Sequence, residues 1–154
     1  MGLDMYLTAT KYVGRWNHSK ETEKQAYDTI TKAIGLEGHV CEGAPSLNVE
    51  IMLCYWRKAN AIHKWFVDNV QNGEDNCGRY YVDREKLREL IDLCRKVMES
   101  RDSGELPPQA GFFFGSTAVD DWYWDDLQHT IDQLQAVLDD KKFAGLDLFY
   151  QSSW

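Results

Sequence analysis

The first ten residues alternate between apolar and polar side chains, and this pattern constrains the fold more than any other feature. Apolar side chains stand at positions 3, 5 and 7, and Asp4, Tyr6 and Thr8 lie between them. Such alternation predicts a half-buried β-strand over residues 1–10. Further strands are predicted over residues 48–55, 79–82 and 146–150. With strands at both termini and helices between them, the chain is expected to be α+β, with a mostly antiparallel sheet.

Three to four helices should pack against this sheet. They are predicted over residues 20–34, 56–70, 84–99 and 121–140, with Ser19 and Asp83 as caps of the first and third. The third has the clearest amphipathic pattern, because its apolar residues fall within one narrow arc: Leu87, Leu90, Ile91, Cys94, Val97 and Met98. No repeat or linker interrupts the pattern, so the 154 residues are expected to form a single domain over 1–154.

Composition excludes several classes of function. The net charge is −8, whereas a protein that binds the phosphate backbone of a nucleic acid needs a basic face. No apolar run approaches the roughly 20 residues that span a bilayer, and the N-terminus lacks a secretory pattern. A cytoplasmic location is therefore expected. The four cysteines form no C-x-x-C pair, which favours free, buried thiols and neither a metal nor a cofactor. His39 and Cys41, on a possible short strand, supply only half of a zinc site.

The predicted helix over 56–70 places His63 in the middle of its apolar face. Such an imidazole is either a hydrogen-bonded core residue or a general acid or base, assisted by Asp4 or Tyr6 from the first strand. Arg57 and Asn60 fall on the opposite face. They form either a solvated surface or donors to a phosphate or carboxylate, with Asp4 as another candidate partner for Arg57.

Two later segments also stand out. Phe112, Phe113 and Phe114 lie between two glycines, and three consecutive rings cannot all face one way. They predict either a loop that stacks a flat ring or a buried strand between two turns. The second segment predicts an aromatic and acidic surface that docks on a protein, unless its carboxylates only stabilise a helix start or bind a divalent cation. The segment runs from Asp120 to Asp126 and holds four carboxylates. Its docking residues would be Asp121, Trp122, Tyr123, Trp124 and Asp125.

Three motifs together resemble a family of small proteins found in bacteriophages, prophages and some bacteria. They are MGLDMYL at residues 1–7, WRKANAIHKWF at 56–66 and GFFFGST at 111–117. The resemblance implies no activity and no catalytic residue. In a phage or prophage setting, a role in host takeover or in countering host defence is expected. This expectation rests on association alone and gives no mechanism.

The sequence thus predicts a phage-type accessory protein that acts by binding. It would either dock on a host or defence protein through the aromatic and acidic surface, or sequester a small nucleotide-like molecule. The alternative is a small enzyme with His63 as acid or base. The pocket of the sequestering version would be built from Arg57, Asn60, His63, Phe112, Phe113 and Phe114.

Overall fold

The computed structural model describes residues 2–154 and contains four strands and four α-helices. The strands are β1 (Asp4–Gly14), β2 (Ser46–Arg57), β3 (Arg79–Tyr81) and β4 (Asp147–Ser153). The helices are α1 (Glu21–Ala33), α2 (Asn60–Asn69), α3 (Arg84–Ser100) and α4 (Asp121–Asp139). The sheet is antiparallel in the order β2-β1-β4-β3. The predicted α+β class, with strands near both ends of the chain, is confirmed.

The chain divides into two compact units. The first comprises the residues up to Ala9 and those from Met52 to Trp154, and the second comprises Thr10–Ile51. The ranges of β1 and β2 both extend across this division. One domain over 1–154 stays a prediction.

In the first unit, α2, α3 and α4 pack on one face of the sheet. Alternate strand residues point toward these helices, and Phe66 of α2 stacks on Tyr150 of β4 with ring centroids 3.9 Å apart. The opposite face carries Tyr6, Tyr55 and Phe149. Large and fully buried core side chains come from α2, α3 and α4 and from strands β1, β2 and β4, among them Met5, Leu7, Trp56, Ile62, Leu87, Leu90, Leu127, Leu134 and Tyr150.

The second unit contains α1, which is held by polar contacts. The side chain of Glu23 accepts the Gly14 amide at 2.9 Å, and the buried Tyr27 donates to the His39 carbonyl at 3.0 Å. His39 and Cys41 are exposed and lie outside any strand. Within residues 2–154, no cluster of three or more metal-binding side chains is present.

Three local predictions were wrong. Helix α2 begins at Asn60 and not at residue 56, because β2 continues through Arg57 and Lys58 adopts φ +58°, a left-handed conformation that a helix cannot include. Ser19 does not cap α1: its hydroxyl accepts the Trp16 amide, and Lys20 is the cap. Strand β1 extends to Gly14, beyond the predicted residue 10; the predicted start at residue 1 lies outside the described residues.

All four cysteines are free, as expected, but only two are buried. Burial raises the pKa of Cys54 and of Cys94 to about 12, which keeps these thiols protonated and unreactive. Cys41 is exposed and Cys77 is half-buried. Of the helices in residues 2–154, none combines the length and apolar character needed to traverse a bilayer.

Candidate functional site

A cavity of about 250 Å³ lies within the first unit, between the N-terminal ends of α2 and α4 and the segment that joins α3 to α4. Ligand sites for drug-sized molecules occupy roughly 300–1,000 Å³, so this cavity suits a single ring system. Its lining comprises Arg57, Lys58, Ala59, Asn60, Ala61, Ile62, Pro108, Gly115, Ser116, Ala118, Asp120, Trp122, Tyr123, Asp126 and Leu127.

The turn at Lys58 brings the start of α2 to this cavity. Its amide donates to the Leu3 carbonyl at 2.8 Å, and its own carbonyl accepts the Asn60 amide at 2.8 Å. Helix α2 has Ala59 at its N-cap, with no capping side chain and no acidic residue in the first turn. The Ala61 and Ile62 amides therefore lack partners within the helix, and this end of α2 carries a partial positive charge.

Asn60 shapes the cavity but has no amide hydrogen to spare for a ligand. Its Nδ2 donates to the carbonyls of Phe114 at 3.0 Å and Ser116 at 2.8 Å. Its Oδ1 accepts the Gln109 amide at 3.0 Å. The side chain is buried, and these three hydrogen bonds fix residues 109–116 against α2.

Helix α4 holds the same segment from the other side. The Tyr123 hydroxyl donates to the Leu106 carbonyl at 2.8 Å, and burial raises the Tyr123 pKa to about 12, so the group remains a donor. Asp120 caps α4 by accepting the Tyr123 amide, as the acidic helix start predicts. The cavity wall is therefore fixed by α2 and α4 together.

The glycines around the three phenylalanines are required by packing. Gly115 has φ +86°, and a Cβ there would lie 3.3 Å from the Lys58 side chain. A Cβ at Gly111 would lie 2.5 Å from the Phe114 ring. Because they lack a side chain, these two glycines allow the backbone to approach Lys58 and Phe114 closely.

Asp126 is the most unusual group in the cavity. Its carboxylate makes no hydrogen bond or ion pair with any residue that the structure describes. Partial burial, above all, raises its pKa to about 6, and the neighbouring Asp125 and Asp120 add to this while His129 opposes it. A carboxyl group with a strongly raised pKa in a cavity is a typical mark of a binding or catalytic site.

The rest of the lining combines an aromatic ring with basic side chains. Trp122 is 78% exposed, and so one face of its indole is free to stack. Arg57 and Lys58 are exposed as well. The Arg57 guanidinium lies 3.9 Å from the Asp4 carboxylate, a long ion pair at the surface that a stronger anionic partner can displace.

His63 belongs to a separate buried cluster. Its Nδ1 lies 2.8 Å from the Tyr150 hydroxyl and its Nε2 lies 3.1 Å from Asp75 Oδ2, whose Oδ1 accepts the Trp154 indole at 3.0 Å. Burial lowers the His63 pKa against the opposing effect of Asp75. The ring is therefore neutral near pH 7, and because a carboxylate only accepts, Nε2 carries the hydrogen and Nδ1 accepts from Tyr150.

This placement corrects two predictions about His63. The ring is fully buried and is not among the residues that line the cavity. Its partners are Asp75 and Tyr150 and not Asp4 or Tyr6, because the side chains of Asp4 and Tyr6 point to the face of the sheet opposite α2. No pattern in the sequence indicated that Asp75 and Tyr150 would be the partners of His63.

The three phenylalanines do not line the cavity, and so the six predicted pocket residues do not form one pocket. Phe112 is 96% exposed, Phe113 is half-buried, and Phe114 packs edge-on against His63 at 5.1 Å. The segment forms a turn, so the buried strand that was one of the two predictions for it is wrong. Only Arg57 and Asn60 of the predicted set reach the cavity.

The predicted protein-docking surface is also divided, because five consecutive helical residues point in all directions. Asp121, Trp122 and Asp125 are exposed, whereas Tyr123 is buried and Trp124 lies under the Arg101 guanidinium at 4.7 Å. Trp122 instead joins Arg57 at the cavity. Sequence reasoning missed Lys58, Asp120 and Asp126 as cavity residues.

Comparison with protein-family models, with curated proteins and with solved structures finds no match for this chain.

Proposed function

We propose that this protein is a binding protein that sequesters a small nucleotide-like molecule in the cavity between α2 and α4. One observation carries the proposal: basic side chains, an exposed indole and a carboxylate without a partner line the same small cavity. Ligand cavities typically combine an apolar wall with a few convergent polar groups.

Each component suits one part of such a ligand. The Trp122 indole can stack on a flat base, an interaction worth about 1–3 kcal/mol. Lys58 provides charge for a phosphate. The Arg57 guanidinium adds two parallel N–H donors once it leaves Asp4, which lies 3.9 Å away on the opposite face of the sheet. The uncapped amides at the start of α2 add to the positive potential on the same side.

The acid–base alternative has less support. Both ring nitrogens of His63 already have partners, and the ring is closed off from solvent. The resemblance to phage and prophage proteins favours a role in withholding the ligand from a host or defence pathway. Docking on a host protein through Trp122 is the competing version.

NMR spectroscopy of the indole N–H groups tests this proposal directly, because the chain has six tryptophans and Trp122 lines the cavity. Titration with the four ribonucleoside monophosphates should shift the Trp122 signal, while the signal of Trp16, which belongs to the second unit and does not line the cavity, stays nearly constant. Trp122→Ala should weaken binding by about tenfold, the equivalent of one lost stacking contact.

Phe112→Ala is the matched control, since Phe112 is equally aromatic and even more exposed but lies outside the cavity. It should leave affinity unchanged. If no nucleotide shifts the Trp122 signal, or if both variants bind equally well, the sequestering function is wrong.

A further inference from the structure

The backbone of Asp126 is held in place, but its carboxylate has no hydrogen-bond partner among the described residues. Thr130 on the next turn of α4 donates its hydroxyl to the Asp126 carbonyl at 2.7 Å and accepts the Trp56 indole at 2.9 Å. These bonds anchor the backbone of Asp126 to β2. They leave both carboxylate oxygens unused within residues 2–154.

A half-buried carboxylate discriminates between ligands by what they donate. Its two oxygens accept hydrogen bonds and donate none, and they match two parallel N–H groups best. Guanine carries such a pair in its ring N–H and the adjacent amino group. Adenine, cytosine and uracil each lack that pair of neighbouring donors on one edge.

The rest of the cavity agrees with a ring of this kind. Helix α4 carries no lysine or arginine that could neutralise Asp126, and the lysine and arginine that line the cavity, Lys58 and Arg57, come from the segment before α2. A ligand with donors at one end and a phosphate at the other satisfies both sides at once. A purely anionic ligand would leave Asp126 unpaired and repelled.

We propose that Asp126 is the specificity-determining residue of the cavity and that it selects a guanine-type ring through two N–H donors. This inference rests on the proposed function, and it adds the class of base. A ligand without the donor pair leaves the carboxylate desolvated and unpaired, which is the most effective way for a site to reject an analogue.

Isothermal titration calorimetry with GMP and AMP tests the inference on the unaltered protein. GMP should bind at least about tenfold more tightly than AMP, because the partly solvated carboxylate penalises the mismatch less than a fully buried one would. Asp126→Asn, which replaces one acceptor by a donor, should remove this preference. Asp125→Asn is the matched control, since Asp125 is adjacent and exposed but does not line the cavity, and it should retain the preference.

The outcomes separate the two proposals. Equal affinity for GMP and AMP, or an unchanged preference in Asp126→Asn, overturns the role of Asp126 but leaves a nucleotide-binding cavity. Failure of both nucleotides to bind overturns the sequestering function together with this inference. Circular dichroism of each variant verifies that a lost preference does not reflect a lost fold.

Discussion

Asp126→Asn should stabilise the folded protein at neutral pH, because the carboxylate is held in a place that disfavours its charge. Its pKa rises from 3.8 to about 6 on folding. One pKa unit corresponds to about 1.4 kcal/mol, which gives an upper limit of about 3 kcal/mol. Since the group is only partly buried, solvent screening reduces this to about 1.5 kcal/mol.

The sign of this effect fixes its pH dependence. Between about pH 4 and pH 6 the folded state binds more protons at Asp126 than the unfolded state, so stability falls as pH rises through this range. The destabilisation is complete above about pH 7, and about a third of it remains near pH 4.5. Asparagine has nearly the same shape and does not ionise, so its advantage should shrink in the same way.

Urea denaturation followed by circular dichroism, at about pH 7.5 and about pH 4.5, measures both quantities. At the higher pH we expect a gain of about 1.5 kcal/mol in the free energy of unfolding, or a rise in Tm of roughly 3–6 °C. A variant that is no more stable than the unaltered protein at pH 7.5, or a gain that is the same at both pH values, would refute the reasoning. Asp125→Asn should show a clearly smaller gain, because that side chain is exposed.

Three other outcomes follow from the described contacts. Because the pKa of His63 is lowered on folding, its contribution to stability is present above about pH 6.5 and is lost as pH falls toward the folded-state pKa. In urea titrations at several pH values, the free energy of unfolding of His63→Gln should therefore fall less steeply with decreasing pH. Asn60→Ala removes three hydrogen bonds and should lower the free energy of unfolding by about 2–4 kcal/mol. Proteases should also cleave within residues 106–117 faster in this variant than in a Lys64→Ala control. Gly115→Ala, at φ +86°, should lower the free energy of unfolding by at least about 1 kcal/mol, measured by the same denaturation.

Periodicity was sufficient to predict most of the elements. The alternation at the start of β1 and the apolar stripe of α3 gave their type correctly, because each has one buried face and one exposed face. The start of α2 could not be predicted in this way. Trp56 and Ala59 fit a helical stripe as well as a strand and a turn, and Lys58 gives no sign of a left-handed conformation, which usually belongs to glycine or asparagine.

The candidate site was predictable only in part. Arg57 and Asn60 stood out as polar residues beside an apolar stripe, and both reach the cavity. Asp126 stood out only as one of four carboxylates in one segment, and a helix start explains such a cluster without any ligand. The partners of His63 lie 12 and 87 residues away in sequence, and a single sequence does not reveal which distant strand will lie beside which helix.

The position of β4 has a consequence for how the chain acquires its structure during synthesis. This strand is the final element of the 154 residues, yet it lies between β1 and β3 in the sheet. Until a ribosome has released residues 147–153, β1 lacks one of its two neighbouring strands and β3 has no strand with which to pair. Such late closure over long separations slows folding, and the nascent chain would expose strand edges to chaperones or to aggregation until β4 has paired.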